Sequence, residues 1–131
     1  MPACATGYSD AVNTCLSDST NGKDRKALAR WIFLGLASHP EIHNFSNATD
    51  ATLDQANQEV GNLFTRLVTM DCAKEYKALA MHEETQSVIK SFEFLGRLAM
   101  QEIMSNPAVT SSIGGFEKYV DKAKISAVLG Q

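Results

Sequence analysis

An all-α fold, a compact single-domain bundle of about five to six helices around a central one, is what this chain predicts, and three observations carry the expectation. The first is the stretch Gln86 to Met104, QSVIKSFEFLGRLAMQEIM. Wound as a helix, it spreads Val88, Ile89, Phe92, Phe94, Leu95, Leu98, Ala99, Met100, Ile103 and Met104 over most of its circumference, leaving a polar strip through Lys90, Glu93, Arg97 and Gln101. A helix apolar on so many sides is expected to be surrounded, so the segment from about Thr85 to Ser105 is assigned as the central helix. The second observation is the stripe Leu53, Val60, Leu63, Phe64, Leu67 and Val68, opposed by Asp54, Gln55, Gln58, Asn62, Thr65 and Arg66, which is the pattern of a helix lying on a core. The third is that no useful length of chain alternates apolar and polar residues with the period a half-buried strand requires.

The 131 residues suffice for one domain with its own core, and 44% hydrophobic against 21% charged residues is globular composition. Residues 1–8, small and polar, read as a loose arm, and 9–131 as a single helical domain. Ser9 and Asp10 offer N-cap oxygens to a first helix, SDAVNTCLSD, which ends in the polar cluster Ser17 to Gly22 with Asn21-Gly22 as turn signal. A second helix, about Lys23 to Ser38, sets Leu28, Trp31, Ile32, Gly35 and Leu36 on one face and Lys26 and Arg30 on the other. Pro40 stops it, because proline disfavours helical geometry at the residue before it, and a polar loop follows to Ala48. Thr49 or Asp50 caps the third helix, and a break near Asp71 separates it from a fourth, DCAKEYKALAMH.

Glu83, Glu84 and Thr85 open the central helix with acidic residues where the helix dipole favours them. Asn106-Pro107 closes it and starts a short helix, Asn suiting the N-cap and Pro the first helical position. After a break from Ser111 to Gly115, a final helix is expected to turn Phe116, Tyr119, Val120 and Ala123 inward. Gly35, Gly61 and Gly96 fall inside helices, toward their apolar faces. Close helix approach is the favoured reason, and a ligand cleft between helices is the alternative.

The net charge of −3 and pI near 5.5 give no broad positive surface for phosphates, so nucleic acid is not an expected partner. No apolar run approaches the roughly 20 residues of a membrane-spanning helix, and no cofactor fingerprint is present. Three clusters bear on chemistry. His39 and His43, four apart in HPEIH, with His82 beside Glu83 and Glu84, are the weak metal candidates, but Pro40 spoils the shared helical face and the order is not HExxH. Lys23, Lys26 and Arg30 at the start of the second helix form a weak candidate for anion binding, for which a solvated face is the plainer reading. Glu102, set among Leu95, Leu98 and Ala99, is a candidate buried carboxylate that needs a partner, with Arg30 or Arg66 the expected ones.

The cysteines, Cys4, Cys15 and Cys72, match no zinc spacing. As free thiols, Cys15 and Cys72 would be small core residues, and as a disulfide they would close a loop worth roughly 4 kcal/mol.

The segments KDRKALARWIFLGLASHPEI (Lys23 to Ile42), LFTRLVTMDCAKEYKA (Leu63 to Ala78) and FEFLGRLAMQEIMSNPAV (Phe92 to Val109) resemble a group of small exported, all-helical proteins of Gram-negative bacteria. The shared residues are core and helix-start residues rather than catalytic ones. The resemblance therefore implies a compartment and no chemistry: a cleaved leader, a periplasmic location, and a disulfide between Cys15 and Cys72 that leaves Cys4 free. Together these readings favour a non-enzymatic binding or interaction protein of the cell envelope, with a protein or small molecule as partner. The alternatives are a small metal-dependent hydrolase using the His39/His43 loop and a carrier with a cleft beside Gly35 and Gly96.

Overall fold

In a computed structural model the chain is described over residues 7–82 and 85–130. Among these residues there are helices and no strand. The seven α-helices are α1 (Gly7–Ser19), α2 (Gly22–Leu36), α3 (Asp50–Arg66), α4 (Ala73–His82), α5 (Thr85–Met104), α6 (Pro107–Gly114) and α7 (Lys122–Leu129). That is slightly more than the sequence suggested. Gly7 and Tyr8, assigned to the arm, belong to α1 instead, and residues 1–6 lie outside the described residues.

The core draws Val12 and Leu16 from α1, Leu28 from α2, Val60 and Leu63 from α3, Tyr76 and Leu79 from α4, and Leu95, Leu98 and Ala99 from α5, together with Leu67 and Cys72. Each buried aliphatic side chain contributes about 1.5–3 kcal/mol through removal from water. α5 packs against α1, α2, α4 and α6, which gives it the shared position expected of it.

Its burial is nonetheless one-sided. Ser91, Leu95, Leu98 and Ala99 are inside, whereas Ile89, Phe92, Met100 and Met104 are exposed along one flank. The helix is central in its contacts without being enclosed, because the C-terminal elements that the sequence placed against the core turn away from it. Phe116 and Tyr119 lie in a 3-10 turn, Gly115–Tyr119, at 63% and 82% exposure, and α6 and α7 contain no buried residue. The inward turn expected of Phe116, Tyr119 and Ala123 is thus corrected, and only Val120 is half-buried.

The joint between α3 and α4 is a π-helical turn, Leu67–Asp71, closed by the Cys72 N–H donating to the Leu67 carbonyl at 2.8 Å. Residues five apart diverge on an ordinary α-helix, and the wider ring brings them back to one side. Leu67 and Cys72 are accordingly both fully buried, which fixes the site of the break expected near Asp71.

Caps are explicit where the sequence offered them. Asn21 and Asp24 form a capping box on α2, and Thr49 and Thr52 one on α3. Asn106 accepts the Ala108 N–H at 2.9 Å with Pro107 following, and Asp121 caps α7. Asn21-Gly22 is therefore a helix start rather than a free turn.

The end of α1 is satisfied differently. It has no glycine cap, and its last carbonyls would be orphaned in a packed corner. Thr20 Oγ1 donates to the Leu16 carbonyl at 2.9 Å, Arg25 Nη2 to that of Ser17 at 2.8 Å, and Arg66 Nη2 to that of Ser19 at 3.1 Å. Arg66 also pairs with Asp24 at 3.1 Å and, through Nε, with Asp71 at 2.8 Å. These bonds, to Asp24 first and then Asp71, raise the Arg66 pKa above its already high ordinary value. Beside this knot Cys15 and Cys72 are joined as a disulfide, their Cα atoms 5.9 Å apart. α1, α2, α3 and α4 are thereby tied at one corner.

Candidate binding site

Among the described residues, those expected to carry chemistry do not converge. His39 Nδ1 accepts the Glu41 N–H at 3.0 Å, His43 starts an exposed 3-10 turn, and His82 stacks on Tyr8 with ring centroids 4.4 Å apart. Among the described residues no group of three or more His, Cys, Asp and Glu side chains is gathered to hold a metal ion. Glu83, Glu84 and Cys4 lie outside the described residues.

Lys26 pairs with Glu102 at 3.6 Å and Arg30 with Glu59 at 3.3 Å, while Lys23 is exposed. The N-terminus of α2 is already occupied by its capping box, with the Asp24 carboxylate where an anion would sit. Two of the three cations are thus neutralised by carboxylates, and the stripe reads as a solvated, ion-paired face. Glu102 is half-buried and takes Lys26, not Arg30 or Arg66, as partner. Arg30 is drawn to α3 and Arg66 to the disulfide corner, so neither faces α5. An ion pair as open as Lys26–Glu102 contributes about 0–1 kcal/mol.

The three helix glycines also depart from expectation. A Cβ added at Gly35, Gly61 or Gly96 would meet no heavy atom within 4 Å beyond the local backbone, so none of them permits a close helix approach. Gly35 and Gly61 simply face water. Gly96 instead forms part of the wall of a crevice of about 100 Å³ where α2, α3 and α5 meet.

That crevice is walled by apolar side chains from all three helices. α2 contributes Leu28, Trp31 and Ile32, α3 contributes Val60, Leu63 and Phe64, and α5 contributes Phe92, Leu95 and Gly96. Helical spacing produces each set: positions three or four apart turn the same way, so three stripes close on one space. The indole Nε1 of Trp31 donates to Asn57 Oδ1 at 2.8 Å, which leaves the crevice no unpaired donor from that ring. Phe92 stacks on Phe64 with centroids 4.1 Å apart and planes 24° apart, and its ring is 43% exposed. It bridges the crevice and the bare flank of α5 formed with Ile89, Met100 and Met104.

A second, more polar recess of about 170 Å³ lies between α1, α4 and α5, with Ser9, Asn13, Lys90, Glu93 and Arg97 on its rim. Next to it Tyr76 donates to Ser91 Oγ at 2.7 Å, and Ser91 in turn to the Val88 carbonyl at 2.6 Å. Burial raises the Tyr76 pKa, and the Ser91 bond offsets part of that rise. Both hydroxyl protons are thus committed within the bundle.

Fold and site define a disulfide-bonded helical bundle with an apolar crevice and a bare apolar flank. Comparison with protein-family models, with curated proteins and with solved structures finds no match to this chain.

Of the cleft the sequence offers beside Gly35 and Gly96, Gly96 lines the crevice and Gly35 does not. The available signal was Gly96, a residue without a side chain on an otherwise bulky face.

Proposed function

We propose that this chain is a non-enzymatic binding protein of the bacterial cell envelope, working in the periplasm and engaging its partner through the apolar flank of α5. The observation that carries the reading is the row Ile89, Phe92, Met100 and Met104, four large side chains left bare along one helix. Large apolar side chains exposed together on one side of a helix support an interaction surface there. Methionines on such a surface adapt to varied partner shapes. The polar strip Lys90, Glu93, Arg97 and Gln101 runs beside it and supplies the rim that interfaces use. The Cys15–Cys72 disulfide supports the compartment, since such bonds persist in oxidising surroundings. Among the described residues no helix is long and apolar enough to cross a membrane.

The test is chemical cross-linking of the tagged protein in periplasmic extract, with a Met100→Glu/Met104→Glu variant alongside. Reproducible capture of the same partner by the parent chain, lost in the variant, is the expected outcome. Recovery of nothing, or of the same set by both, would overturn the assignment.

A further inference from the structure

We infer that the crevice between α2, α3 and α5 is a binding site for one small apolar molecule, the size of a single aromatic ring or a short branched hydrocarbon. The inference concerns the enclosed space rather than the outer flank and does not rest on the protein-partner reading.

Size sets the class of ligand. At about 100 Å³ the space is well below the roughly 300–1,000 Å³ of pockets that enclose drug-sized ligands, so a polycyclic ligand or a whole acyl chain does not fit. It is somewhat smaller than the ~150 Å³ apolar cavity known to stay dry and take up benzene. A single ring therefore enters with a small outward swing of one wall.

Phe92 is the wall able to move. It is 43% exposed and held on its inner side chiefly by stacking on Phe64, so turning it outward gives up that stacking and the covered part of its ring, which the guest then replaces. Leu63 and Leu95, by contrast, are locked in the core.

Chemistry excludes the commonest occupant. A buried water needs two to four polar partners, and the crevice is walled by aliphatic and aromatic side chains, with Trp31 Nε1 already committed to Asn57. An apolar guest would restore the dispersion contacts that the empty space forfeits. Gly96 keeps the space open: any side chain there would begin to fill it, and a Cβ meets nothing within 4 Å.

Trp31 is the only tryptophan in the chain and lines the crevice, so its fluorescence reports occupancy directly. Toluene is titrated into the full-length oxidised protein, followed by Trp31 emission and by calorimetry. A saturable response with one site per chain and half-saturation at or below about 1 mM is expected. Gly96→Leu should weaken binding at least tenfold. Gly96→Ala, which adds one methyl group in open space and improves helix propensity, should fold as well as the parent and weaken binding about threefold. An emission change that stays linear to the solubility limit of toluene would overturn the assignment. So would unchanged affinity in a folded Gly96→Ala protein, whether or not Gly96→Leu folds.

Discussion

Removing the disulfide by the double substitution Cys15→Ala/Cys72→Ala isolates its effect, because Ala leaves no unpaired polar group where Cys72 is fully buried. The bond joins residues 57 apart in sequence. Loop closure of that length lowers the entropy of the unfolded chain by an amount worth about 4 kcal/mol at room temperature. Loss of the two sulfur atoms from a packed corner adds roughly 1 kcal/mol more. With an unfolding entropy of about 2.1 cal/mol/K per residue, the chain-entropy part alone lowers Tm by about 15 °C. In urea, with a slope of about 2 kcal/mol/M, the midpoint falls by about 2 M. The assay is paired urea and thermal melts followed by circular dichroism, with and without reductant. Reductant should bring the parent chain close to the variant and leave the variant unmoved. A midpoint shift below about 0.5 M would refute the entropic reasoning, since the pair would then be closing a loop already held by the unfolded chain. Denatured without reductant, the parent should show one reactive thiol, Cys4, and finding three would refute the pairing.

Arg66→Met should cost about 2 kcal/mol by urea denaturation, because it leaves the Asp24 and Asp71 carboxylates and the Ser19 carbonyl without their shared donor, tempered by the partial exposure of the guanidinium. Combined with Asp24→Asn, the loss should be less than additive by about 1 kcal/mol, and strict additivity would argue against coupling. Tyr76 titrates above its ordinary value of 10.0 in the folded chain, so its contribution is complete below pH 10.0 and is lost as pH rises through the folded pKa. Tyr76→Phe should lose about 1 kcal/mol at neutral pH and show a flatter alkaline limb in stability measured from pH 8 to 11. Truncation after Asn106 removes elements with no buried residue and should change the urea midpoint by less than about 0.5 M, with α-helical content falling only by the residues deleted.

Local signals were legible where the physics is local. The Asn106-Pro107 start, the Thr49 cap and the break near Asp71 each depend on a few neighbouring residues and stand where they were expected, whereas α2 ends at Leu36, two residues short of the expected Ser38. The C-terminal helix failed for a different reason. Periodicity says which side of a helix is greasy, not whether anything lies against it, and Phe116 and Tyr119 meet water because α6 leads the chain away from the core. Glu102 failed likewise: its need for a cation was readable, but the choice of Lys26 over Arg30 and Arg66 depends on how α2 and α3 face α5. The crevice was legible in part: a cleft beside Gly35 and Gly96 stood among the alternatives, and Gly96 lines the crevice while Gly35 faces water. A void belongs to three helices at once, and only the missing side chain of Gly96 hints at it from any single one.

The knot at Arg66, Asp24 and the disulfide makes the pair α2 and α3 asymmetric. Their ends at Gly22 and Arg66 are riveted, while the opposite ends bury only the small set Leu34, Ala37 and Ala56 and lead into the mostly exposed run 38–49, where Phe45 stands almost fully in solvent. Thermal opening will therefore travel from that run inward, like a book pulled apart at its fore-edge while the spine holds. The crevice lies between fore-edge and spine, and a protease that cuts after aromatic residues finds Phe45 bare at the fore-edge.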